Sequence, residues 1–147
     1  MEAQISQSRH IVPPSRLWWV ILLGILLAIA ANVVFYFLLP SVFEQPVFMN
    51  ELKSPVAVDV SEVILFSTIF STGASVAFVV VGSLSKHPAR TFLIVSLVVL
   101  ALSLAIPFSL PTPPIAMAPK LGLVGMHIIG AITVVGILIL LGTRQEE

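Results

Sequence analysis

The sequence predicts an all-α, polytopic membrane protein: a bundle of four transmembrane helices with both termini on the cytoplasmic side. Three observations predict it. Hydrophobic residues make up 58% of the chain and charged residues only 10%, where a soluble domain carries roughly a quarter charged. Four runs contain no Asp, Glu, Lys or Arg, and each reaches the ~20 residues that a helix needs to cross a hydrocarbon core of ~30 Å. The prolines fall at the edges of these runs and never in their middles, as expected of a residue that removes a backbone donor and clashes with the preceding turn. The mean hydropathy of +1.11 agrees. The runs do not alternate apolar and polar residues, so membrane β-strands are excluded as their reading.

In chain order, residues 1–16 form a cytoplasmic tail with little intrinsic structure, followed by a four-helix membrane domain over 17–142 and a short cytoplasmic tail over 143–147. The first span, Leu17–Leu39, ends at Pro40. Its apolar stretch is too long for the ~7–15-residue core of a signal peptide, so it reads as a membrane span although Arg9 and Arg16 precede it. The segment Pro40–Val58 is the largest loop. It mixes Phe43, Val47, Phe48, Met49 and Leu52 with Glu44, Glu51 and Lys53, and it is expected to lie on the membrane surface or against a partner. Val63–Leu84 and Thr91–Leu110 are the second and third spans, joined by the turn Ser85–Arg90 into a tight antiparallel hairpin. Pro107 and the stretch Pro111-Thr112-Pro113-Pro114 end the third, and Leu121–Gly142 is the fourth.

Lys and Arg set the orientation. Arg9, Arg16, Lys86, Arg90 and Arg144 fall on one side, with only Lys53 and Lys120 on the other. The termini and the middle turn are therefore placed in the cytoplasm, with the chain in the plasma (cytoplasmic) membrane, the inner membrane of a cell that has two. Trp18 and Trp19 then meet the inner interface, and Tyr36 and Phe108 approach the outer one. The turn Lys86–Arg90 could also meet anionic headgroups.

Several function classes drop out. The formal net charge is zero, with 7 basic and 7 acidic residues, so no basic surface is available to hold a nucleic acid. There is no cysteine, which removes thiolate metal sites, iron–sulfur clusters and cysteine nucleophiles. No catalytic motif is visible, and His127 has no second ligand at i+3 or i+4 to suggest a metal.

Polar residues inside the spans are where function would be written. At 1.5 Å per residue, Asn32, Ser103 and His127 all lie roughly 9–11 Å below the outer surface, and Ser67 and Thr68 stand at a similar depth. They could form one pocket in which His127 ligates a pigment or haem metal, hydrogen-bonds a quinone, or passes a proton towards Glu62. The simpler reading is that Asn32 and His127 tie helices together, at roughly 0.6–2 kcal/mol for each interhelical hydrogen bond. Asp59 followed by Glu62 has the spacing of a capping box at the start of the second span. Ser67, Ser71 and Ser75, and likewise Gly24, Ala28 and Asn32, are spaced to lie along single helix faces. Such stripes let helices approach closely, although the hydroxyls could instead line a polar path.

The second half resembles an uncharacterised bacterial family of small four-span membrane proteins. The resemblance rests on Lys86-His87-Pro88-Ala89-Arg90-Thr91-Phe92, on Leu102-Ser103-Leu104, and on Gly125-Met126-His127-Ile128-Ile129. It covers about Val63 to Leu141, with span one and Asn32 more loosely matched, while the proline-rich stretch Pro111–Pro119 departs from the pattern. It implies fold and topology, and no activity. Together these readings point to a non-catalytic accessory or structural subunit of a larger membrane complex, such as a photosynthetic or respiratory one, with the lipid bilayer and other membrane subunits as partners. The alternative is a binder or carrier of a small molecule, pigment or quinone, using Asn32, Ser103 and His127.

Overall fold

A computed structural model describes residues 9–41, 44–49, 54–110 and 115–145. Four helices are long and apolar enough to cross a membrane: α1 (Pro14–Leu38), α2 (Val60–Leu84), α3 (Pro88–Ser109) and α4 (Met117–Gly142). Large apolar side chains such as Leu26, Phe37, Phe70, Leu102 and Ile132 cover the outside of the bundle. That surface is suited to lipid, and the chain is a multi-pass membrane protein.

The helices begin at 14, 60, 88 and 117, where the uncharged runs begin at 17, 63, 91 and 121. The reason is the chemistry of a helix start. The first four amides of a helix have no intrahelical acceptor, so proline is tolerated there and charged side chains can still reach water. Pro14 and Pro88 thus open α1 and α3, and Pro119 lies in the first turn of α4. The connection between α2 and α3 shrinks to Ser85, Lys86 and His87, so Pro88 and Arg90 belong to α3 and not to the turn.

α1 lies between α2 and α4, packing most extensively on α4. α3 packs against the same two helices, and α2 and α4 also touch each other. The small-residue stripes face inward: Gly24, Ala28 and Asn32 are the buried residues of α1, and Ser67, Ser71 and Ser75 are buried on α2. One apolar cluster draws on every helix through Ala28, Phe78, Phe92, Val134 and Leu138. A second, of Leu39, Val58, Val63 and Met126, has no residue from α3.

Two short β ladders, which the sequence reading did not anticipate, sit at the bundle's ends. At one end β1 (Arg9–Ile11) pairs antiparallel with β4 (Thr143–Gln145), setting His10 opposite Arg144. The Val12 amide adds a 3.0 Å hydrogen bond to the Gly142 carbonyl, and Ile11 packs on the first cluster. Residues 9–11 of the expected tail therefore have structure, and they lie side by side with residues 143–145. At the other end β2 (Val47–Met49) pairs with β3 (Pro55–Ala57). The Tyr36 hydroxyl donates to the Val58 carbonyl at 3.1 Å, which fixes the hairpin to α1. Phe43, Glu51, Leu52, Lys53 and the prolines at 111, 113 and 114 lie outside the described residues.

Candidate functional site: the polar level inside the bundle

The residues singled out by depth have different surroundings. Asn32 is nine-tenths buried, and its Nδ2 donates to Ser67 Oγ at 2.9 Å, joining α1 to α2. α4 completes this contact with a glycine. A Cβ at Gly130 would stand 2.9 Å from Asn32 Nδ2, so the absence of a side chain there makes room for the amide. The other end of the amide, Oδ1, is buried without a hydrogen-bond partner. Exchanging the amide's O and N would not cure this, because Ser67 engages one end in either orientation.

Ser103 and His127 each bond to their own helix. Ser103 Oγ donates to the Leu100 carbonyl at 2.8 Å, and His127 Nδ1 lies 2.8 Å from the Leu123 carbonyl. A carbonyl only accepts, so Nδ1 carries a proton. In the neutral ring Nε2 is then a lone-pair acceptor. The Phe70 ring lies beside the imidazole at a centroid separation of 6.2 Å. Among the described residues no hydrogen bond links His127 to Ser103 or to Asn32. Of the suspected level, the structure brings together Asn32 and Ser67, with Gly130 against them. No group of three or more His, Cys, Asp or Glu able to hold a metal ion occurs among the described residues.

Glu62 is engaged in the capping box. Its Oε2 accepts from the Asp59 amide at 2.8 Å, while Asp59 Oδ1 accepts from the Ser61 amide at 2.8 Å. Hydrogen bonds from the Ser61 side chain and then its amide hold the Asp59 carboxyl below its ordinary 3.8. Thr68 Oγ1 and Ser75 Oγ return to carbonyls four residues earlier, at 2.7 and 2.8 Å.

Sequence reasoning treated Lys120 only as a charge to be counted. It is buried in the first turn of α4, and its Nζ donates to the Leu110 carbonyl at the C-terminal end of α3. A cation suits that end of a helix electrostatically, so Lys120 clips α3 to α4. The available signal was a lone lysine just after a helix stop.

Comparison with known proteins adds a family and no activity. The family model of DUF6069, a family of unknown function, matches residues 12–144. The chain belongs to DUF6069. The DUF6069 match spans all four helices. The resemblance read from the second half thus holds in its coarse form, as a family of unknown function whose member here has four apolar helices. No curated protein and no solved structure matches this DUF6069 chain.

Proposed function

We propose that this protein is a non-catalytic accessory or structural subunit of a larger membrane complex, for example a photosynthetic or respiratory one. The observation that supports this best is α3. Its buried residues are Pro88, Phe92 and Pro107, all near its ends, while Leu97, Val98, Val99 and Leu102 in its middle are exposed. A helix that buries so little within its own bundle has apolar faces available to a neighbouring subunit. The polar side chains inside the spans support the same reading, since their hydrogen bonds go to helix carbonyls or to one interhelical pair. The test is extraction of the tagged chain from its native membrane in mild detergent. Co-migration with other membrane subunits on a native gel is expected, and migration alone as a small oligomer overturns the proposal.

In this reading both termini face the cytoplasm and the membrane is the plasma (cytoplasmic) membrane. The excess of Lys and Arg at the end carrying β1, β4 and the α2–α3 turn supports that orientation. A reporter fused after Glu147 and found outside the cell would reverse it.

A second reading, a binder of a pigment, haem or quinone, is favoured by one observation. With Nδ1–H held on the Leu123 carbonyl, His127 has the second-nitrogen hydrogen bond that commonly orients a ligating imidazole. Its Nε2 would be the ligand atom. A chromophore or quinone in the purified protein, lost in His127→Ala, would support this. Unchanged ligand content in that variant would remove it.

A further inference from the structure

We propose that the end of the bundle carrying β1 and β4 is a docking surface for anionic phospholipid headgroups. Four separate elements bring basic residues to this end. Arg16 lies in the first turn of α1, Lys86 in the α2–α3 connection, and Arg90 in the first turn of α3. The β1–β4 ladder adds Arg9 and Arg144 at the same end, where the two strands pair. Arg16, Lys86 and Arg90 are exposed. Among the described residues of this end there is no acidic side chain; Glu2, Glu146 and Glu147 lie outside them. At the opposite end the described charges are Glu44, Asp59 and Glu62, with Lys120 buried. The molecule is thus polarised along its helix axes, with its positive end where helices leave the hydrocarbon.

A second feature identifies lipid as the occupant. Trp18 and Trp19 stand two and three residues after Arg16, are 51% and 58% exposed, and stack at a centroid separation of 3.9 Å. Exposed indoles in the first turns of a membrane helix sit at headgroup level, with an apolar body and a polar N–H. Basic residues that share this end of the bundle then stand near the level of lipid phosphates. Clusters of four to eight Lys and Arg next to a membrane attract anionic lipid in this way.

The test uses the full chain reconstituted in phosphatidylcholine vesicles with trace amounts of acyl-chain spin-labelled phosphatidylglycerol or phosphatidylcholine. Electron paramagnetic resonance then reads the fraction of each lipid held at the protein boundary. Phosphatidylglycerol is expected to be preferred by about five-fold at low salt, the effect of roughly one basic residue near a headgroup. The preference should fall towards unity as salt shortens the screening length. The Arg16→Gln, Lys86→Gln, Arg90→Gln triple variant should show little preference at any salt. The wild-type salt series stands by itself should that variant fail to fold. Equal retention of the two lipids at low salt overturns the proposal, as does a preference that neither salt nor the variant changes. Capture of an acidic protein with equal lipid retention also overturns it, and assigns the surface to a protein.

Discussion

Asn32 Nδ2 donates to Ser67 Oγ at 2.9 Å while Asn32 Oδ1 is buried and unpaired, so one amide both fastens α1 to α2 and carries an unmet acceptor. An unpaired buried polar group costs about 1–3 kcal/mol, whereas a single interhelical hydrogen bond contributes roughly 0.6–2 kcal/mol. The two terms are comparable, so the pair orders the helices more than it stabilises them. Ser67→Ala strands the whole amide and is expected to cost about 1–3 kcal/mol. Asn32→Leu removes both the bond and the orphan, and should lie closer to neutral. Reversible unfolding in mixed micelles of both single variants and the double variant checks this. A larger loss in Asn32→Leu than in Ser67→Ala would mean that the amide has a partner besides Ser67.

Gly130 makes this contact possible from the third side. A methyl at that position would come within 2.9 Å of Asn32 Nδ2, and the amide cannot yield without leaving Ser67. Gly130→Ala is therefore expected to destabilise the protein by about 1–3 kcal/mol, the usual cost of overpacking. Adding Asn32→Ala should return much of that loss, since it removes the group being struck. Equal losses in Gly130→Ala and in the double variant, measured in the same micelle assay, would rule out this source of strain.

The fold was legible because lipid imposes a coarse code of long uncharged runs separated by breakers. The two inward stripes were legible too, because a four-residue spacing of small side chains fixes a helix face. The Asp59–Glu62 capping box was readable for a similar reason, being local in sequence. What depth could not supply was direction around each helix. Residue counting assigns Asn32, Ser103 and His127 one height, but height does not say which side chains face one another. In an apolar medium Ser103 and His127 found the nearest acceptors, the Leu100 and Leu123 carbonyls of their own helices. Gly130 was silent because a missing side chain is informative only once its neighbour is known. The three-residue ladders are too short to show an alternating pattern.

Capping of α2 should depend on pH with a definite sign. The Asp59 carboxyl is held below its ordinary 3.8 by the hydrogen bonds from Ser61. A group whose folded pKa is lowered contributes stability that is present above its unfolded value and is lost as pH falls through the folded one. The start of α2 should therefore be fully capped at neutral pH and loosen on acidification below about 4. Hydrogen exchange at the Ser61 and Glu62 amides, followed against pH, reads this directly. Asp59→Asn keeps an acceptor without a titrating charge, so it should flatten the acid limb of that profile. An acid limb that persists in Asp59→Asn would remove Asp59 as its source.

The terminal ladder depends on a notch in α2. A Cβ at Gly82 would stand 1.5 Å from Ile11 Cδ1, so the Ile11 side chain occupies the space that glycine leaves, and through it β1 is held against the bundle. The chain has no cysteine, so a pair introduced by His10→Cys and Arg144→Cys reports this contact without background. The two positions are directly opposed in an antiparallel ladder, where Cα atoms lie roughly 4.5–5.5 Å apart, within the range that a disulfide bridges. Rapid oxidation to an intramolecular crosslink is expected. Adding Gly82→Ala should slow it by expelling Ile11, and Ile11→Ala in the same background should recover only part of the rate, because it relieves the clash without replacing the seat. If Gly82→Ala leaves the crosslinking rate unchanged, the ladder is held by its own hydrogen bonds and the Ile11 seat contributes nothing to it.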